Sequence, residues 1–294
     1  MELKFRGIKE SYPNIKFRKI AYYIQLVRPF TLLAPVFAGM MGVLASAGKI
    51  TADCFLTAIY VGLVLAILQA SGQVMNQYAD AELDKIVKPY RPIPKGLISR
   101  EEALSFSLAL AATGVFGAFS ISLPFGLISL LILFFAMFYS LPPFSPRRVH
   151  PMAGVLWLAV SRGLIPVIAV WIIYGDILDS IPYGLIAFTW VLGFQSTKDV
   201  PDVEGDRMFG IKTVPSVYGK KGLLALMLAS LTALVSFSVA FKIYLMLLLA
   251  PLAAAAILGH SKQSKYSENT VSWVCYYSGL AFFYVLLFFN EALA

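Results

Sequence analysis

Two short stretches of this chain carry carboxylates at regular spacing. The first reads Asn76-Gln-Tyr-Ala-Asp80-Ala-Glu-Leu-Asp84. Asn76, Asp80 and Asp84 fall at i, i+4 and i+8, which stacks them on one helix face. The second reads Lys198-Asp199-Val-Pro-Asp202-Val-Glu-Gly-Asp206-Arg207. Asp199, Asp202 and Asp206 fall at i, i+3 and i+7, again on one face, while Pro201 and Gly205 weaken the helix and turn part of it into loop. Like charges one turn apart repel by a few tenths of a kcal/mol even in water. A bound cation removes that cost. Oxygen-only donor sets suit hard cations, Mg²⁺ above all, and Mg²⁺ usually takes one or two carboxylates plus substrate phosphate oxygens.

Basic side chains flank both stretches. Lys85, Lys88, Arg91 and Lys95 follow the first; Lys198, Arg207 and Lys212 surround the second. They are candidates for holding the same phosphate. The stretches also resemble each other as repeats. Each closes an apolar segment and leads into a basic loop containing Gly and Pro, with Asp84 and Asp206 separated by four apolar segments.

The elements that position these residues are membrane helices. The chain has 294 residues, of which 59% are hydrophobic and 14% charged, with a mean hydropathy of +0.76. Soluble domains carry about 25% charged residues. So few charges exclude a soluble enzyme, a disordered chain and a nucleic-acid-binding domain, despite the net charge of +8. Spans of about 20 apolar residues are expected at roughly 21–47, 54–76, 101–121, 123–141, 152–173, 181–197, 221–239, 241–259 and 271–290. Two tight hairpins are required, at Ser122-Leu123-Pro124 and near Lys242.

Nine spans with a cytoplasmic N-terminus place 20 of the 24 basic residues on the cytoplasmic face and only Lys49 and Lys242 opposite. That asymmetry is what the positive-inside rule requires. It puts the basic tail 1–20 and both carboxylate stretches in the cytoplasm and the C-terminus outside. The tail lacks the short apolar core and cleavage site of a signal peptide. Cys54 and Cys275 have no metal or redox spacing and read as small hydrophobes. His150 and His260 form no cluster.

The two stretches together resemble the paired aspartate-rich motifs of the UbiA superfamily of intramembrane prenyltransferases. Asn76, Asp80 and Asp84 match the first motif; Asp199, Asp202 and Asp206 match the second. Pro89-Tyr90-Arg91-Pro92-Ile93-Pro94 before Gly96, Val203-Glu204-Gly205-Asp206 before Gly210-Ile211-Lys212-Thr213, and Arg28-Pro29-Phe30-Thr31 are similar to the family's surroundings. The resemblance spans nearly the whole chain. It implies an all-α integral membrane fold, one transmembrane domain over 1–294, with nine helices in two similar halves around a central cavity. The loops at 77–100 and 198–220 would form a cytoplasmic cap.

The resemblance also implies Mg²⁺-dependent transfer of a prenyl group from a prenyl diphosphate to a lipophilic acceptor within the membrane lipid, with more than one Mg²⁺ ion. It implies neither nucleic acid nor a protein partner. The five aspartates would hold metal, supported by Asn76. Arg28, Lys88, Arg91, Lys95, Lys198, Arg207 and Lys212 would bind diphosphate. Departure of the diphosphate leaves an allylic carbocation, which needs a dry apolar chamber and preorganised charge. Tyr139 resembles a family tyrosine that would face the cation. Many members have Lys four residues after that Tyr; here it is Pro143, so Arg147 or Arg148 is expected to take the diphosphate contact. Arg162 lies inside the fifth span, where a charge costs at least about 2.5 kcal/mol, and is expected to contact substrate or one of the aspartates.

The acceptor stays open. Tyr139-Ser-Leu-Pro-Pro143 and Ser161-Arg162-Gly163-Leu164 resemble members acting on tetrapyrrole or homogentisate acceptors. Asp202-Val-Glu-Gly-Asp206 and Gly210-Ile-Lys-Thr213 resemble archaeal enzymes that prenylate geranylgeranylglyceryl phosphate. The alternative from another class is a transporter for a phosphorylated or anionic solute. Its site should lie near the midplane and open to both faces, whereas these carboxylates gather on one.

Overall fold

A computed structural model describes residues 15–48, 50–262 and 271–293. The charges expected at Lys4, Arg6, Lys9, Lys49 and Lys265 lie outside the described residues, as do residues 1–14 of the N-terminal tail. Every regular element among the described residues is helical. They are α1 (Ile15–Val27), α2 (Pro29–Ala47), α3 (Ala52–Ala79), α4 (Ala81–Val87), α5 (Arg100–Ile121), α6 (Leu123–Phe138), α7 (Pro146–Val149), α8 (Pro151–Trp171), α9 (Ile177–Phe194), α10 (Val203–Met208), α11 (Val214–Ala240), α12 (Tyr244–Lys262) and α13 (Val271–Leu293). A 3₁₀ segment, Gln195–Asp202, joins α9 to α10.

Among the described residues, eight segments are long and apolar enough to cross a membrane. In the place expected for a fourth span stands α6, an apolar helix of 16 residues. At 1.5 Å per residue it covers about 24 Å, short of the ~30 Å hydrocarbon core. Both hairpins form. Ser122 ends α5 and caps α6, accepting from the Phe125 backbone N–H at 3.2 Å. Lys242 takes a left-handed φ of 60° between α11 and α12. The first apolar run is not one helix: α1 stops at Val27, and Arg28 sits at φ 53°, ψ 70° before Pro29. A residue before proline is pushed out of the right-handed helical region.

The eight spans and α6 form a closed ring. Each packs on the next in chain order, α2 on α3, α3 on α5, α5 on α6, α6 on α8, α8 on α9, α9 on α11, α11 on α12 and α12 on α13, and α13 returns to α2. Close approach is bought with glycine. A Cβ on Gly39 of α2 would lie 2.1 Å from the Gly62 nitrogen of α3, so only glycine permits that crossing. Outward faces carry large apolar side chains, such as Phe116 and Leu178. The inward faces of α3, α8, α9 and α13 supply most of the core. That arrangement leaves a cavity along the ring's axis, and both carboxylate stretches lie at one end of it.

Candidate active site

The first stretch forms as expected, with one interruption. Helix α3 ends at Ala79, Asp80 leaves helical geometry (φ −94°, ψ 12°), and α4 resumes at Ala81. The i, i+4 relation survives: Asn76 Nδ2 donates to Asp80 Oδ2 at 2.8 Å, and Asp84 N–H donates to the Asp80 carbonyl at 2.8 Å. The second stretch is 3₁₀ through Asp202 and α-helical from Val203. In a 3₁₀ helix residues three apart eclipse, so Asp199 and Asp202 share one edge.

Gly205 brings the two stretches together. A Cβ there would sit 2.4 Å from Val87 Cγ1 and 2.8 Å from Leu83 Cδ1. Helix α10 therefore rests directly on α4. Sequence reasoning treats Gly205 as a helix breaker; the structure shows it as a contact point.

One cavity, enclosing about 690 Å³ including space open to solvent, receives all five aspartates, Asp80, Asp84, Asp199, Asp202 and Asp206. Asn76, Arg28, Lys88, Arg91, Lys198, Tyr139 and Arg147 also line it. Arg147 grips Asp80 through both terminal nitrogens, one bond being 3.0 Å. Arg91 Nη1 donates to Asp84 Oδ2 at 2.7 Å. Lys198 Nζ donates to Asp199 at 2.6 Å. Lys88, from the first stretch, pairs with Asp202 of the second. Asp206 instead accepts from Thr213 Oγ1 at 2.9 Å. Four carboxylates thus have basic partners that also face the cavity.

Burial raises the Asp84 carboxyl above its ordinary range, and Arg91 and Lys88 offset that only in part. For Arg147, burial works against the charged form, but the Asp80 carboxylate wins and raises its pKa. The guanidinium is a fixed charge.

Of the two arginines expected to replace the missing lysine, Arg147 reaches the cavity and Arg148 does not. Arg148 is exposed and donates to the Phe209 carbonyl at 3.0 Å. Lys95, Arg207 and Lys212 are also exposed and are not brought to the cavity. Arg207 bonds the Ser216 carbonyl at 3.0 Å, and Lys212 Nζ the Val149 carbonyl at 3.2 Å. The Lys212 backbone N–H donates to the Arg147 carbonyl at 2.7 Å, strapping the 142–151 loop to the second motif's loop. The Arg207 and Lys212 side chains thus bond main-chain carbonyls beside the site, and Lys212 borders a small pocket shared with Arg147 and Asp199.

Two further chambers continue from the carboxylate cavity. The middle one is lined by Arg28, Lys198, Arg162, Gln69, Gln73 and Tyr139 among others, with no carboxylate in its lining. The inner one is apolar, walled by Ala34, Leu65, Ile132, Leu280 and Tyr284, with Arg162 and Tyr277 at the junction. Arg162 sits in a π-helical turn, Val160–Leu164. Shared lining residues make the three chambers contiguous. Tyr139 stands between the first two, its ring 5.4 Å from the Arg147 guanidinium and 5.6 Å from Lys198 Nζ.

Sequence reasoning missed Thr213, Ser140 and Trp273 as site residues. Ser140 Oγ accepts from Asn76 Nδ2 at 2.8 Å, and Trp273 lines the carboxylate cavity. The signal for Thr213 was its place seven residues after Asp206. A tryptophan at a span end looks like any interface anchor.

The donor set fits Mg²⁺. It is all oxygen, and Asp202 Oδ1 is buried with no hydrogen-bond partner, an uncompensated acceptor of the kind a cation satisfies. No three carboxylates converge closely enough among the described residues to form a closed metal cage.

A helical ring with a carboxylate-and-base mouth above an apolar chamber defines a membrane-embedded enzyme for an amphiphilic, phosphorylated substrate. Comparison with known proteins gives the family. The model of the UbiA prenyltransferase family matches residues 32–290, and the chain belongs to that family. It is 33% identical to the digeranylgeranylglyceryl phosphate synthase of Thermococcus kodakarensis, over 73% of this chain and 76% of that protein. It is 30% identical to the digeranylgeranylglyceryl phosphate synthase of Methanosphaera stadtmanae, over 85% of this chain and 92% of that protein. The fold matches a UbiA homologue from Archaeoglobus fulgidus bound to GPP and Mg²⁺, with a TM-score of 0.69 at 20% identity, covering 93% of this chain and 100% of that one. The protein is a multi-pass integral membrane prenyltransferase.

Proposed function

We propose that the chain works as one catalytic unit that transfers a prenyl group from a prenyl diphosphate to the hydroxyl of a glyceryl phosphate lipid of the geranylgeranylglyceryl phosphate class. The observation that carries this reading is the sequence of three contiguous chambers. The first offers carboxylates and bases, the second cations without carboxylates, and the third apolar walls. A diphosphate suits the first and its isoprenoid tail the third. The middle chamber's Arg28 and Arg162 suit an anionic acceptor headgroup beside the reacting carbon. Relatives named digeranylgeranylglyceryl phosphate synthase favour phosphate over an aromatic carboxylate.

Asp80 and Asp84 on one side, and Asp199, Asp202 and Asp206 on the other, would hold Mg²⁺, with more than one ion, supported by Asn76. Bound there, Mg²⁺ would neutralise the diphosphate and stabilise charge on the leaving group. Arg147, Arg91, Lys88 and Lys198 now neutralise four of those carboxylates. With metal held by the carboxylates, these bases would exchange a carboxylate for phosphate oxygens, which would leave few charges unpaired. The allylic C–O bond breaks, and the diphosphate leaves with the bonding pair. Tyr139 offers its ring face to the cation. The acceptor hydroxyl oxygen forms the new bond and passes its proton to the departed diphosphate. The apolar chamber keeps water from the cation. We assign the basic loops and this mouth to the cytoplasmic face, with the C-terminus opposite, from the distribution of Lys and Arg.

The test is a transfer assay with purified protein and labelled geranylgeranyl diphosphate. Geranylgeranylglyceryl phosphate, 4-hydroxybenzoate, a dihydroxynaphthoate and homogentisate are offered together with Mg²⁺ or EDTA. Labelled product on the glyceryl phosphate lipid, abolished by EDTA, is expected. Product on an aromatic acceptor alone would overturn the acceptor assignment while leaving the class intact.

A further inference from the structure

A second cleft lies behind the active site. It is lined by Tyr78, Arg100, Ser140, Phe144, Arg148 and Val149, among others. Four helices of the ring begin or end here: α3 closes at Ala79, α5 opens at Arg100, α6 closes at Phe138 and α8 opens at Pro151. The cleft therefore sits at the boundary between hydrocarbon and water. Its rim exposes apolar surface, Phe144 at 47% and Val149 at 64%.

Both guanidiniums are underused. Arg100 donates through Nε to the Tyr78 carbonyl at 3.2 Å and lies over the Tyr78 ring at 4.7 Å. Arg148 donates through one terminal nitrogen to the Phe209 carbonyl. Neither forms an ion pair among the described residues. Of the two neighbouring glutamates, Glu101 is not ion-paired with Arg100, and Glu102 is taken by Lys19. Each arginine has five N–H donors, so most remain available. Guanidinium forks match phosphate oxygens, and basic pockets between span ends hold anionic headgroups.

The bonds these arginines do make run to the two motifs. Tyr78 lies two residues before Asp80, and Phe209 three after Asp206. Ser140, in the cleft wall, accepts from Asn76, which in turn holds Asp80. We propose that this cleft binds the phosphate headgroup of an anionic membrane lipid, separate from the seats of donor and acceptor. Its occupancy braces both aspartate motifs by bridging Arg100 and Arg148. The lipid's chains lie along the rim at Phe144 and Val149. This inference goes beyond the transfer reaction and does not depend on the acceptor.

The test uses the full-length protein in neutral detergent, without donor or acceptor, and reads retained lipid by native mass spectrometry. Dioleoylphosphatidylglycerol and dioleoylphosphatidylcholine are supplied together. The wild type should retain the anionic lipid about tenfold or more over the zwitterionic one. Arg100→Gln with Arg148→Gln should bring the two lipids level, and Arg100→Lys with Arg148→Lys should keep most of the preference. In phosphatidylcholine nanodiscs, added phosphatidylglycerol should tighten prenyl diphosphate binding in the wild type and not in the double Gln variant. Equal retention of both lipids by the wild type, or undiminished preference in a folded double Gln variant, would overturn the proposal. So would full displacement of the lipid by inorganic phosphate, which would mean that the rim contributes nothing and the site takes free anion.

Discussion

Arg147 and Asp80, 67 residues apart, meet in a two-point ion pair in which both terminal guanidinium nitrogens face both carboxylate oxygens. Both side chains are buried. The pair joins the 142–151 loop to the first motif, and the Arg147 carbonyl joins the same loop to the second through Lys212. Removing one member of a buried pair strands the other charge and costs about 3–5 kcal/mol. Arg147→Ala should therefore lower thermal stability and abolish prenyl diphosphate binding. Arg147→Lys should restore part of both, since a single ammonium cannot span two oxygens. Calorimetric unfolding together with ligand titration checks this. Diphosphate affinity untouched in Arg147→Ala would remove the residue from the site.

Gly205 sets the distance between the motifs. Gly205→Ala forces a methyl group against Val87, and overpacking of this kind costs about 1–3 kcal/mol. Activity should fall sharply, because Asp202 and Asp206 move relative to Asp80 and Asp84. Val87→Ala in the same chain opens the space the methyl needs, and the double variant should regain most of the activity. A double variant as poor as Gly205→Ala would show that spacing at this crossing is not what matters.

Asp84 makes a prediction with a definite sign. Its folded-state pKa is raised, chiefly by burial. Such a group contributes stability that is fully present below its unfolded-state pKa and is lost as pH rises through the folded-state value. In metal-free protein, Asp84→Asn removes that titration. The melting temperature of the variant relative to wild type should therefore rise with pH across this interval and level off above it. A difference that falls with pH would mean that Arg91 and Lys88 outweigh burial.

Tyr139 is approached by two cations before any substrate binds. Its aromatic face is thus already used electrostatically. Tyr139→Phe keeps the face and should keep most of the activity. Tyr139→Leu should lower kcat by a factor of about 2–30, the equivalent of a cation–π attraction of roughly 0.5–2 kcal/mol. Equal losses in both variants would assign the role to the hydroxyl.

Hydropathy and the charges of the loops made the membrane helices legible in the sequence, including the hairpins at Ser122 and Lys242, and the family resemblance implied their arrangement around a cavity. Length was less legible. Helix α6 ends at Phe138, and an apolar run through Leu141 gives no sign that Tyr139 and Ser140 turn toward different cavities. The carboxylates were legible because their spacing repeats. The basic residues were not sorted by sequence, since adjacent arginines in a loop look alike. Arg147 and Arg148 face opposite ways only because the short helix Pro146–Val149 turns one inward. Arg207 and Lys212 sit beside the second motif in sequence yet are exposed and outside the carboxylate cavity, and proximity along the chain cannot reveal that.

The central claim is that both aspartate motifs act on one diphosphate. The most direct measurement is the affinity of a non-hydrolysable geranylgeranyl diphosphate analogue, with and without Mg²⁺, for wild type, Asp80→Ala and Asp202→Ala. Wild-type binding should strengthen at least about tenfold with Mg²⁺, and each single substitution should abolish most of that gain, although the two residues lie 122 positions apart in the chain. Undiminished Mg²⁺-dependent binding in either variant, in protein shown to be folded, would contradict the account.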